Sequence, residues 1–345
     1  MRKKILELDH CDVIKVFMML SVMFYHCICL WSKGGWFNQP PAQSSQFLAF
    51  LCAWLNSFHI YVFTFVSGYL FFYLKYEKQK YNSFLKDALH RGKRLLIPYI
   101  CASVFWVIPF YVHYNSPKTL TVVKNFALAI SPNQLWFLVM IFMVFVIFYL
   151  LSNVFEKYNI VVGFLLSVAI YGISWVGAFI FPNLFQIWTA GKYIFFYYMG
   201  FAFRKYRDNI LYKIPWICYF VVHIALLSVH FFYVSNKETT FFKLSGIALS
   251  PVISTFGVLM VVVGLSKFKY VRLKENKVFL LLSKHNFFMY LVHQQIIYVV
   301  ISLLNNRVST PLLVLLNFVV SFSISLLFGV LISKIPIVKK AFGYK

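Results

Sequence analysis

The chain has 345 residues, 61% of them hydrophobic and 12% charged, and its 33 Lys and Arg against 9 Asp and Glu give a formal net charge of +24. Soluble domains carry roughly 25% charged residues, so this composition excludes a soluble enzyme and leaves an all-α polytopic membrane protein. The basic excess reads as loop charge on the cytoplasmic side rather than as a nucleic-acid surface, because cytoplasmic loops collect Lys and Arg.

A spanning helix needs about 20 mostly apolar residues. In chain order such stretches lie at 13–31, 47–74, 95–112, 134–152, 160–181, 186–203, 214–234, 246–265, 279–304 and 311–333. They predict a helix bundle of about ten transmembrane helices forming a single membrane-embedded domain, 1–345. The start of the first stretch mimics a signal peptide, but "CLWSKGGW" (Cys29–Trp36) offers no small-x-small cleavage site and suits an uncleaved span. With the N-terminus inside, the inner segments hold most of the Lys and Arg, including Arg2, Lys3, Lys4, Arg207, Lys269, Arg272, Lys274 and Lys345. The outer segments hold Lys33, Lys118, Lys124, Lys192, Lys237, Lys243 and Arg307. This bias predicts both termini in the cytoplasm. Cys11, Cys27, Cys29, Cys52, Cys101 and Cys218 lie in or beside apolar runs, which predicts buried free thiols, and no metal-ligand spacing appears.

Ionisable residues inside spans are costly and are candidate functional groups. His26 lies deep in the first predicted span, His59 near the middle of the second and His293 deep in the ninth; His223 and His230 in the seventh look ordinary. Each has a plain reading as a neutral ring hydrogen-bonded inside the bundle. Lys15 and His26, however, share a face: eleven residues leave them about 20° apart in azimuth and about 16 Å apart along the axis. A cation near the cytoplasmic surface below a base inside the bilayer suits an elongated substrate with a charged end. Asp12 is positioned to pair with Lys15 instead. Arg91 and Arg94 share a helix face at the mouth of the third span, as a phosphate site or as ordinary topology-setting charge. Ser67 and Gly68 suit close helix packing. Trp136 suits an interfacial aromatic belt or a surface for stacking a sugar.

These pieces resemble a known family, acyltransferase family 3 of integral membrane acyltransferases. Members carry Arg, ten residues, then His in the first span, where this chain has Lys15 and His26. They carry "SGYL/F" in the second span (here Ser67–Leu70) and a basic pair followed by "LLxPY" (Arg91 and Arg94 before Leu95–Tyr99). "LWFL" opens their fourth span (Leu135–Leu138), and "YLxHP" comes near the end (Tyr290–Gln294, with Gln294 for Pro). No acidic residue lies deep in a span to match the membrane glutamate of some members. The likeness is to short members without a fused hydrolase-like domain.

The resemblance implies an O-acyltransferase of a bacterial cytoplasmic membrane. It would move an acetyl or succinyl group from acyl-CoA to a hydroxyl of a cell-surface or lipid-linked glycan. No permanently bound cofactor is implied; the partners are acyl-CoA as donor substrate, the saccharide acceptor and the bilayer, with no nucleic acid. His26 would be the catalytic base or, alternatively, carry the acyl group. Lys15, Arg91 and Arg94 would bind the donor's phosphates, and His293, His59, Tyr290 and Trp136 would position substrate. The competing class is an exporter or flippase for a polysaccharide or lipid-linked sugar.

Overall fold

The computed structural model describes residues 8–32, 36–206, 211, 213–234, 239–267, 273 and 275–344. Arg2, Lys3, Lys4, Lys33, Arg207, Lys237, Lys269, Arg272, Lys274 and Lys345 lie outside the described residues. The described chain is helical throughout: α1 (Leu8–Ile28), α2 (Gln46–Asn56), α3 (His59–Phe72), α4 (Phe84–Ala102), α5 (Ile108–Asn115), α6 (Thr119–Ala127) and α7 (Trp136–Lys157) come first. Then come α8 (Ile160–Ile180), α9 (Ile187–Lys205), α10 (Trp216–Val229), α11 (Thr240–Ser266), α12 (Lys277–Leu304), α13 (Thr310–Ile332) and the short α14 (Pro336–Ala341). Among the described residues, nine helical stretches are long and apolar enough to cross a membrane. They correspond to every predicted span except 186–203. That span is a 19-residue helix, α9, but Lys192, Arg204 and Lys205 lower its hydropathy. Most of its other side chains are buried against protein, so it does not need an apolar outer face.

The predicted span 47–74 is not one helix. α2 stops at Asn56 and α3 restarts at His59, immediately at the candidate histidine. Such a break inside a bilayer is tolerated only where the freed backbone is satisfied by protein. Here the Ser57 hydroxyl donates to the Trp54 carbonyl at 2.6 Å and the Ser57 amide bonds back to Ala53 at 3.1 Å. Pro98, which has no N–H to donate, sits inside α4, and a π-helical turn at Ser103–Val107 follows before α5. Asn276 caps α12 by accepting from the Val278 and Phe279 amides. The cysteines are free; Cys11, Cys27, Cys29 and Cys52 are buried, whereas Cys218 is exposed and departs from the buried-thiol expectation.

The chain divides into two compact units. The first comprises Met1–Phe63, Tyr206–Asn286 and Ile296–Phe322. In it α1 packs on α2 and α11, and α10 pairs with α11. His223 of α10, which looks ordinary in the sequence, ties this unit together. Its Nδ1–H donates to the Ile253 carbonyl at 2.9 Å, and Nε2 lies 3.1 Å from the Ser57 hydroxyl at the helix break.

The second unit comprises Thr64–Lys205, Phe287–Gln295 and Ser323–Lys345. α8 and α9 form a hairpin, and α4 and α9 both pack on α7. Arg204 clasps Glu77 through two bonds, Nε to Oε1 at 2.7 Å and Nη2 to Oε2 at 2.6 Å, and its Nη1 donates to the Tyr69 hydroxyl at 2.7 Å. α3 and α9 meet through glycines. A Cβ on Gly68 would strike the Tyr197 carbonyl, and one on Gly200 would strike the Phe65 carbonyl. Both obstacles are backbone, so the helices themselves would have to part. We expect Gly68→Ala and Gly200→Ala to destabilise the unit by about 1–3 kcal/mol, seen as a lower unfolding temperature in detergent. Gly172→Ala is the control, because its Cβ meets nothing within 4 Å. It should be neutral or stabilising by up to about 1 kcal/mol through helix propensity. Equal unfolding temperatures for all three would refute the close-approach account.

Candidate functional site

In the first unit His26 occupies the last turn of α1 and is half-buried. Its ring lies edge-on to Tyr25 at 5.0 Å and stacks against Trp36 at 5.7 Å between centroids. Tyr25 also meets the His59 ring at 4.9 Å, so it touches both histidines. His59 is almost wholly buried, at 1% exposure, and its Nδ1–H donates to the Leu55 carbonyl at 2.5 Å across the helix break. That bond holds the neutral ring as the Nδ1–H tautomer, with Nε2 as the lone-pair nitrogen. Lys15 sits on the same continuous helix as His26, about 16 Å down its axis. It forms the ion pair with Asp12 that the sequence allowed, Nζ to Oδ1 at 3.2 Å.

Residues 36–45, ahead of α2, lie against the His26 end of α1, where Trp36 stacks on His26. The Trp31 indole N–H donates to the Gln43 carbonyl at 2.8 Å. Asn305, after α12, donates to the Pro40 carbonyl at 2.9 Å and accepts from the Ala42 amide at 3.2 Å. Tyr298 of α12 packs on these residues, its ring 4.8 Å from Trp36 and stacked on Phe37 at 5.0 Å. A cavity of about 560 Å³ opens beneath residues 36–45, and Trp36 is part of its wall. Sequence reading missed Trp36, Phe37 and Tyr298. The aromatic pair in "GGWFNQ" was the available signal, but nothing in one dimension shows Trp36 stacking on the histidine.

The second unit holds the other candidates. Arg91 of α4 lays its guanidinium over the Phe145 ring at 4.6 Å, and its Nε is buried with no hydrogen-bond partner. Arg94, one turn on, is exposed. Neighbouring cations are differently placed. Lys75 donates to the Ser152 hydroxyl at 2.5 Å and lies over the Tyr149 ring at 4.1 Å. Lys205 donates to carbonyls at the end of α7, where a cation complements the helix dipole. Arg204 is committed to Glu77 and Tyr69.

His293 is fully buried, and its Nδ1–H is shared between the carbonyls of Met289 (3.0 Å) and Tyr290 (2.9 Å). The Tyr290 hydroxyl donates to the Gln134 carbonyl. Gln134 and Gln295 exchange amide bonds of 2.6 and 3.1 Å, and Gln134 also donates to the Leu291 carbonyl at 3.1 Å. The start of α7 is thereby fastened to the middle of α12, one turn from His293. Trp136 opens α7 half-buried, its ring 5.9 Å from Tyr193. The structure therefore groups His26 with His59 in one unit, and Tyr290 with His293 near the foot of Trp136's helix in the other.

A model of the acyltransferase domain, acyltransferase family 3, matches residues 9–333. No curated protein and no solved structure matches the chain. The family match takes in both units and every candidate residue described above. With nine apolar helices, a family match along nearly the whole chain and histidines buried within its spans, the chain belongs to acyltransferase family 3 and is a multi-pass membrane acyltransferase.

Proposed function

We propose that this acyltransferase uses cytoplasmic acyl-CoA, with an acetyl or succinyl group, to acylate a hydroxyl of a cell-surface or lipid-linked glycan. It does so in the bacterial cytoplasmic membrane with both termini inside. The observation that supports this best is the contrast among the deep histidines. His59 and His293 are buried with Nδ1–H held by backbone carbonyls, Leu55 across the helix break and Met289 on α12, whereas His26 is half-buried among aromatic rings. A general base must reach the proton it removes, and His26 has the accessible ring.

His26 takes the proton of the sugar hydroxyl as its oxygen attacks the thioester carbonyl carbon. The carbon–sulfur bond breaks, and the proton passes to the departing CoA thiolate. Arg91 and Arg94 hold donor phosphates, for which guanidinium forks are suited. The buried, unpartnered Arg91 Nε supports that role, since a buried donor without an acceptor is costly. Lys15 adds positive charge toward the donor end of α1. His59 backs His26 through Tyr25, and His293, Tyr290 and Trp136 set the start of α7. The test is transfer of labelled acyl groups from acyl-CoA to a saccharide by the purified chain in liposomes. Saccharide movement across the bilayer with no labelled glycan, from either acetyl- or succinyl-CoA, would instead favour an exporter.

A further inference from the structure

Two cysteines of the first unit meet just past the His26 end of α1. Cys29 stands in the short helical turn Cys29–Trp31 that follows α1, and Cys52 lies in the second half of α2. Their sulfurs are 3.8 Å apart, in van der Waals contact, and both side chains are buried, at 1% and 3% exposure. The turn packs on α2, so the two backbones run side by side here. A disulfide holds its sulfurs about 2.05 Å apart, so a closure of about 1.8 Å shared between two side chains would join them. With the N-terminus inside, this is the outer end of α1, the side of a cytoplasmic membrane on which disulfides persist. The pair also touches the candidate chemistry. The Tyr25 hydroxyl donates to the Cys29 sulfur one turn on, and the Tyr25 ring meets His26 at 5.0 Å and His59 at 4.9 Å. The cavity beneath residues 36–45 gives a small molecule a way in. Leu30, next to Cys29, and Ala49, one turn before Cys52, are both in its wall.

A lone buried thiol is inert, but two in contact can resolve one another once one is oxidised. We propose that Cys29 and Cys52 form a redox-sensitive pair that a small neutral peroxide converts to a disulfide, lowering acyl transfer until a dithiol reductant reopens it. The Cys29 sulfur attacks one peroxide oxygen, the O–O bond breaks, and the thiol proton leaves with the departing hydroxide as water. The Cys52 sulfur then attacks the sulfenic sulfur of Cys29. The S–O bond breaks, and the second thiol proton leaves with that hydroxide as water. Two thiols and one hydrogen peroxide give one disulfide and two waters; sulfur is oxidised and peroxide oxygen is reduced. A dithiol reverses this by exchange, taking the disulfide onto its own sulfurs. Cys29 reacts first because the Tyr25 O–H steadies its thiolate, the nucleophilic form. Closure moves the sulfur that Tyr25 binds, and with it the ring that touches both histidines. Displacing reacting groups by about 1 Å costs about 100-fold in rate. The loss of transfer rests on the reading of His26 as base; the disulfide itself does not.

The test treats the full chain in liposomes with hydrogen peroxide, identifies linked peptides by mass spectrometry after alkylation and digestion, and measures labelled acyl transfer in parallel. A linked Cys29–Cys52 peptide should accumulate, transfer should fall by at least about tenfold, and dithiothreitol should reverse both. Cys52→Ser should form no link and keep its transfer through the same treatment. Cys218→Ser, at the exposed thiol, should behave as the unaltered chain does. The linked peptide is read in the unaltered chain, so a variant that fails to fold does not decide the outcome. Sulfenic acid trapped on the exposed Cys218 with no Cys29–Cys52 peptide would overturn the proposal. A linked peptide with undiminished transfer, or an equal loss in folded Cys52→Ser, would overturn it too. Absence of transfer from the fully reduced chain would sink the proposed function alone, because the linked peptide is read by mass.

Discussion

Replacing His26 by Gln is expected to reduce acyl transfer by about 10²–10⁴-fold, the range for losing a general base, while leaving expression and unfolding temperature near wild type. Gln is the informative choice. It keeps a side chain that can both donate and accept hydrogen bonds, but it takes no proton at neutral pH. If His26 merely satisfied a neighbour among Tyr25 and Trp36, Gln would serve and activity would survive. His59→Gln and His293→Gln should be milder in chemistry and harsher in stability. Each replaces a rigid Nδ1–H donor to a buried carbonyl, at 2.5 Å for Leu55 and at 2.9–3.0 Å for Tyr290 and Met289, by a flexible amide that must be ordered to reach it and that buries a second N–H. Near-wild-type turnover in His26→Gln would remove it as the base, and a greater loss in His293→Gln would transfer the role there.

Some of this architecture was readable in one dimension and some was not, for identifiable reasons. Hydropathy found the spanning helices because each must present apolar side chains to lipid. It found the span 47–74 but not its interruption at Ser57–Phe58, which uses apolar and hydroxyl residues that leave the average unchanged. α9 sits at the edge of what hydropathy can see, since a helix sheathed by protein is free to carry Lys192 and Arg204. The azimuth of Lys15 and His26 followed from helix geometry, and α1 is indeed continuous between them. The plain alternative for Lys15 was legible too, since Asp12 three residues away is the partner it takes. The Ser67–Gly68–Tyr69–Leu70 motif has a packing explanation at Gly68 and a hydrogen-bonding one at Tyr69, whose hydroxyl accepts from Arg204, through partners on α9 that are more than a hundred residues distant. The aromatic wall beside His26 was illegible because it arises from residues 36–45 lying against the end of α1, fixed by Asn305 far along the chain. The Gln134–Gln295 pair was hidden in the same way. A buried amide in an apolar run signals only that a partner exists, not which one.

The arginines provide the second large effect. Arg91→Ala and Arg94→Ala should each raise the KM for acyl-CoA with kcat little changed, the pattern of lost ground-state binding. Loss of a charge-assisted phosphate bond costs about 1.5–3 kcal/mol, or roughly ten- to 150-fold in affinity. Arg91 should be the more sensitive. Its guanidinium is braced over Phe145 with Nε buried, whereas the Arg94 side chain is exposed and free to be replaced in part by solvent and counter-ions. Arg91→Lys keeps the charge but loses the fork, so it should recover only part of the donor affinity. Lys75→Ala makes the useful comparison, because Lys75 carries similar charge but is held by Ser152 and the Tyr149 ring. It should lower stability without moving the donor KM. At Lys15, Arg should retain activity and Ala should not. The exposed pair with Asp12 is worth only about 0–1 kcal/mol, too little for its loss to unfold α1. A donor KM unmoved by both arginine-to-alanine changes would return Arg91 and Arg94 to the general charge bias that orients the chain in its membrane.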